Sequence, residues 1–209
     1  MDSIDSAALL RMVTLYGHVL ACFAAAAGVV LGDIAIFMPK RVDRLLLSKA
    51  ARVVGMALIV LWVTGLALIG IDTGFDVAVI ATKSKVLAKL SVVTLLTLNG
   101  LALHRWAFPT LAAPQEHPER AAGLPAVLGA ISAASWLFAA FLGVAKALVP
   151  LLSYAGFMGM YAAFVLLAVG FGLTVMRGKL SQQLLRTPED TIYSALQDLP
   201  ELPSARLAG

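Results

Sequence analysis

One cysteine and three histidines occur among 209 residues, and charged side chains make up only 13% of the chain. A single cysteine excludes an intrachain disulfide framework, and there is no CxxC pair or zinc-type run of Cys and His to suggest a structural metal. Redox compartment therefore cannot be read from cysteine. No phosphate loop, dinucleotide fingerprint, nucleophile motif or carboxylate pair is present, so hydrolase and ATPase readings have no residues behind them. What fills the chain instead is apolar: 60% of the residues, with a mean hydropathy of +0.90. That is too apolar for an ordinary soluble domain and far from a disordered one. Lipid is the expected solvent for most of it.

A hydrocarbon layer of ~30 Å needs about 20 apolar residues in a helix rising ~1.5 Å per residue. Five stretches meet that length, at 9–37, 53–71, 86–108, 124–147 and 151–176. Pro150, with Lys146 close before it, predicts a tight connection between the last two, because proline resists continuing a helix. Asp2 and Asp5 precede the first cation, Arg11, which is the wrong sign for the start of a cleaved signal peptide. The first stretch is thus expected to stay as a span.

Charge in the connections predicts orientation. Lys40, Arg41, Arg44, Lys49 and Arg52 face one acid, Asp43, between the first two spans. Excess cations mark the cytoplasmic side, which places the N-terminus outside and, after five spans, the C-terminus inside. Arg177, Lys179, Arg186 and Arg206 in the tail agree. The expected fold is all-α, a bundle of five transmembrane helices over 1–179 in the cell inner (cytoplasmic) membrane, with a cytosolic tail over 180–209. Within the tail, Thr187, Pro188 and Asp190 resemble a helix start, so a short helix over 187–199 is one option and a solvated end the other. The net charge of +4 is explained by this topology, and no motif supports a nucleic-acid partner. The partner implied by composition is the bilayer.

Helices in lipid pack through small residues and occasional polar contacts. Gly17, Ala21, Ala24, Gly28 and Gly32 form such a stripe on the first span, ending in a GxxxG that predicts close packing within the chain, with a homodimer face as the alternative. His18, Cys22, Val29 and Asp33 lie beside that stripe and are expected to face away from lipid. Similar faces are expected from Lys85, Lys89, Leu96 and Asn99 on the third span, from Ser135 and Trp136 on the fourth, and from Tyr154, Met158 and Tyr161 on the fifth. His18, Cys22, Lys85, Lys89, Lys146, Tyr154, Met158 and Tyr161 fall in the outer half by this topology, whereas Asp33 and His104 fall in the inner half. Fifteen residues separate His18 from Asp33, which is ~22 Å along a helix, so they cannot share a small site. His18 and His104 are likewise too far apart in depth to clamp one heme.

An ionisable residue inside a span is a functional candidate, because burying it in lipid is costly. Neutral imidazole at His18 can ligate heme iron or a transition metal, or relay a proton; its plain alternative is one interhelical hydrogen bond. Lys89 sits a turn inside its span and can supply positive charge; the alternative is a lysine reaching back to the interface. Cys22 one turn from His18, together with Met158, offers soft donors suited to Cu(I), set against ordinary core filling.

The runs GHVLACFAAAAG (17–28), VTGLALI (63–69) and KVLAKLSVVTLLTLNGLALHR (85–105) are similar to those of the copper-resistance D-type membrane domain and the related J-type protoporphyrinogen oxidases. The resemblance covers about the first hundred residues. It implies a membrane-embedded site for heme or copper, with His18 and Lys89 at the matching positions. Two departures stand out: Ala25 occupies the place of a tryptophan usual there, and the closure of the first span appears as MPKR (38–41). No His- or Met-rich segment outside the spans accompanies the copper version.

Three readings result. In the first, a polar pocket in the outer half binds heme b in a redox or heme-handling role, with His18, Lys89 and Tyr161 around the cofactor and a redox partner or other membrane subunit implied. In the second, His18, Cys22 and Met158 hold copper in a transport or tolerance protein. In the third, the chain is a non-catalytic membrane scaffold whose polar stripes are packing contacts. No catalytic residue is assigned in any of them.

Overall fold

The computed structural model describes residues 5–39, 42–113, 115 and 117–185. Among them every regular element is helical, and five helical stretches are long and apolar enough to cross a membrane: Ser6–Phe37, Arg44–Thr73, Ser84–Ala112, Pro118–Val144 and Tyr154–Leu184. All five expected spans are present.

Helix α1 (Ser6–Phe37) begins at Asp5, whose carboxylate accepts from the backbone N–H groups of Ala7 and Ala8 and so satisfies donors that the helix leaves open. Helix α2 (Arg44–Thr73) starts well before the apolar run, because Asp43 caps it by accepting from Leu46 N–H at 2.9 Å. Arg44, Lys49 and Arg52 therefore ride on the helix itself. Gly74, at φ +61°, closes α2 in the left-handed conformation that glycine adopts without strain. A short α3 (Val77–Thr82), capped by Asp76, leads into α4 (Ser84–Ala102).

The third span continues past α4 through a π-helical turn, Leu103–Ala107, into α5 (Phe108–Ala112). Pro109 supplies the reason, since its ring opposes the carbonyl of Arg105 four residues back and removes the bond that carbonyl would accept. Phe108 N–H reaches back five residues to Leu103 O instead. Short α6 (Pro118–Ala121) precedes α7 (Gly123–Val144). The α7–α8 connection is longer than Pro150 alone predicts, because α7 ends at Val144 and α8 (Tyr154–Phe171) starts at its Ser153 cap. A second π-helical turn, Gly172–Met176, joins α8 to α9 (Arg177–Leu185). That helix carries Leu180 and Leu184 into a buried cluster with Leu111, Ala122 and Ala126, so regular structure runs beyond residue 179. The helix considered over 187–199 lies outside the described residues.

Two packing units result. Helices α1 and α2 form a close hairpin, with Gly28 against Val53 and Val54 and Gly32 against Ala50, so the GxxxG packs within the chain. Helices α4, α7 and α8 surround the main core of Ala88, Val92, Phe138, Leu142, Phe157 and Tyr161. Trp136 packs against Ala21, Ala25, Ala57 and Leu61 of the hairpin, and further along Ile36 and Phe108 both pack against the cluster of Ala35, Val42 and Leu47. Trp62 Nε1 donates to Thr97 Oγ1 at 3.0 Å between α2 and α4, which ties the two units in their middle.

Candidate functional site

His18 lies on α1 about three turns from its start, half-buried against α2. Its Nδ1 shares a hydrogen bond of 2.8 Å with Thr64 Oγ1. The Thr64 hydroxyl also donates to Val60 O at 2.7 Å, one turn back on its own helix. Gly65 follows, and a Cβ built there would stand 3.6 Å from His18 Cε1, so the imidazole edge faces this glycine. Nε2 of His18 has no hydrogen-bond partner among the described residues. A ring held at one nitrogen while the other keeps its bonding capacity suits a ligand or a proton carrier.

Cys22 follows one turn later and is exposed. Lys89 is exposed on α4 six residues after Lys83, and His18 lies seven residues after Arg11; Arg11 pairs with Asp72 and Lys83 donates to the Asp72 carbonyl, so both helices present these side chains at the same end of the bundle. Lys85 precedes Lys89 by one turn of α4, and Lys146 follows the end of α7. Among the described residues the one ion pair is Arg11 with Asp72, at 2.8 Å, so Lys85, Lys89 and Lys146 face no acidic partner there. Lys83 Nζ donates to Asp72 O at 3.3 Å, and Ser91 Oγ pairs with Tyr154 OH at 3.0 Å. The arrangement presents an aromatic nitrogen donor toward the same end of the bundle as these unpaired lysines.

Tyr161 and Met158 occupy a different place. Ser135 Oγ donates to Ile131 O at 2.6 Å, which leaves its lone pairs for the Tyr161 hydroxyl at 2.8 Å. Both partners are buried in the α4–α7–α8 core, where the Tyr161 ring packs against Phe138 at a centroid distance of 5.3 Å and Met158 packs at the margin. Asp33 and Cys22 are exposed rather than turned to the bundle interior as expected, whereas His18 and Val29 of the same set are partly buried. His104 lies in the π-helical turn, edge-on to Phe108 at 5.0 Å, apart from His18. Among the described residues no group of three His, Cys, Asp or Glu side chains comes together around a possible metal position.

Thr64 and Gly65 were the residues that spacing alone passed over. Their signal was the VTG run at 63–65, the hydroxyl and the glycine standing side by side in an otherwise apolar span.

No family model, curated protein or solved structure matches the chain. The fold itself defines the class, a multi-pass α-helical membrane protein with five candidate spans among the described residues.

Proposed function

We propose that this chain binds heme b in the membrane in a redox or heme-handling role, in which His18 would hold the iron through Nε2 and Lys89 would supply the counter-charge to a heme propionate. The observation that carries this reading is the His18 ring, engaged at Nδ1 by Thr64 and without a hydrogen bond at Nε2 among the described residues. The donor set fits a heme through one protein ligand, since His104 lies elsewhere in the bundle. When bound, the iron supplies one-electron exchange or a position for ligand chemistry. The chain's own part is to hold the ring, keep apolar helix faces around it and neutralise a carboxylate with lysine. The cation-rich segment between α1 and α2 supports an orientation with the N-terminus outside a bacterial-type inner membrane and the C-terminus in the cytoplasm. Electrons or heme would pass to a redox partner or another membrane subunit.

The test is the oxidised and dithionite-reduced absorbance spectrum of detergent-purified protein from a heme-replete host, beside a His18→Ala variant. A Soret band that the variant loses supports ligation by His18. Colourless wild-type protein that also fails to take up added hemin overturns the reading.

A further inference from the structure

We propose that Thr64 is a positioning residue that holds His18 in the Nδ1–H tautomer and so reserves the Nε2 lone pair for a ligand. The inference deepens the heme reading and rests on it only for the identity of that ligand.

A threonine hydroxyl has one hydrogen and two acceptor lone pairs. Thr64 Oγ1 has three polar neighbours, the carbonyls Val60 O at 2.7 Å and Leu61 O at 3.4 Å, which can share its hydrogen, and His18 Nδ1 at 2.8 Å. A carbonyl oxygen can only accept, so the contact with Val60 requires the Thr64 hydrogen. This back-bond to the carbonyl four residues earlier is a favoured threonine arrangement in helices, and it is strongest where no water competes. The remaining contact is satisfied only if Nδ1 carries a hydrogen and donates to the Thr64 oxygen. In the neutral ring the proton is then absent from Nε2. The opposite tautomer would require Thr64 to abandon Val60 O and turn its hydrogen to Nδ1.

A Cβ at residue 65 would stand 3.6 Å from His18 Cε1, ordinary van der Waals contact, so the glycine leaves the ring edge room beside α2. Thr64 sets which nitrogen carries the proton. A metal-ligating histidine commonly has its second nitrogen fixed in this way, and loss of such a partner costs roughly 10–100-fold in affinity.

The experiment uses the full chain in a background of His104→Gln and His117→Gln, so that His18 is the single histidine. Ring 13C and 15N shifts are recorded without heme at about pH 8.5, well above the ordinary histidine pKa of ~6.5. The expected result is the Nδ1–H form in the Thr64 protein, its loss in Thr64→Val and its return in Thr64→Ser, with helical content unchanged by circular dichroism. An Nε2–H ring in the Thr64 protein, or the same tautomer in Thr64→Val, overturns the proposal. Hemin titration of the same three proteins supplies the second readout, with affinity about 10–100-fold weaker in Thr64→Val and recovered in Thr64→Ser. The expected tautomers without hemin binding would sink the heme reading and leave the assignment of Thr64 standing.

Discussion

Gly28 and Val54 stand so close that a Cβ at residue 28 would lie 2.7 Å from Val54 Cγ2 and 3.3 Å from its backbone nitrogen. Valine is stiff at χ1 and the nitrogen belongs to the α2 backbone, so neither neighbour gives way without moving the helix. Gly28→Ala is expected to destabilise the hairpin by about 1–3 kcal/mol. Gly17→Ala meets nothing within 4 Å and should be neutral or slightly stabilising. Unfolding titrations in mixed micelles measure both, and equal losses at the two positions would contradict this account of the seam.

The bond between Tyr161 and Ser135 predicts an asymmetry. Tyr161→Phe removes a donor while Ser135 Oγ still has Ile131 O as partner, a loss of about 0.5–1.5 kcal/mol. Ser135→Ala leaves a tyrosine hydroxyl in the core without its acceptor, at about 1–3 kcal/mol. The ordering of the two variants in the same titration is the test, and a larger loss for Tyr161→Phe would mean that the proton is placed the other way.

Lys89 contributes charge on the reading proposed above. Lys89→Gln should weaken hemin binding roughly tenfold at low salt, Lys89→Arg should retain most of it, and the difference should shrink as ionic strength rises. Titrations at two salt concentrations read this directly. An affinity indifferent to both substitution and salt would remove Lys89 from the site.

Orientation is open to labelling. In a Cys22→Ser background, Ser48→Cys should react with an impermeant maleimide only from the cytoplasmic side, and Phe75→Cys only from the outside. Both native positions are exposed, and they lie toward opposite ends of α2. The reverse pattern would invert the topology argued from the cations.

Arg11 and Asp72 form an ion pair at 2.8 Å with both side chains largely open to their surroundings. Such pairs contribute little, so Arg11→Gln should leave the thermal midpoint within experimental error of wild type. A drop of several degrees would show that this contact clamps the ends of α1 and α2.

The sequence by itself determined the helical class, the five spans and the close seam at Gly28 and Gly32, because the cost of exposing backbone and charge to lipid is local and can be read residue by residue. It located α2 too late, at Val53, because hydropathy does not register that Asp43 can cap a helix whose first turns carry arginine and lysine. Which polar groups meet was left to tertiary structure. His18 finds Thr64 46 residues away, and Ser135 takes Tyr161 into the core 26 residues away. Helices that are apolar on nearly every side carry only a weak signal of their rotation, so the crossing of α1 over α2, and of α7 over α8, decides which side chains come within hydrogen-bonding distance.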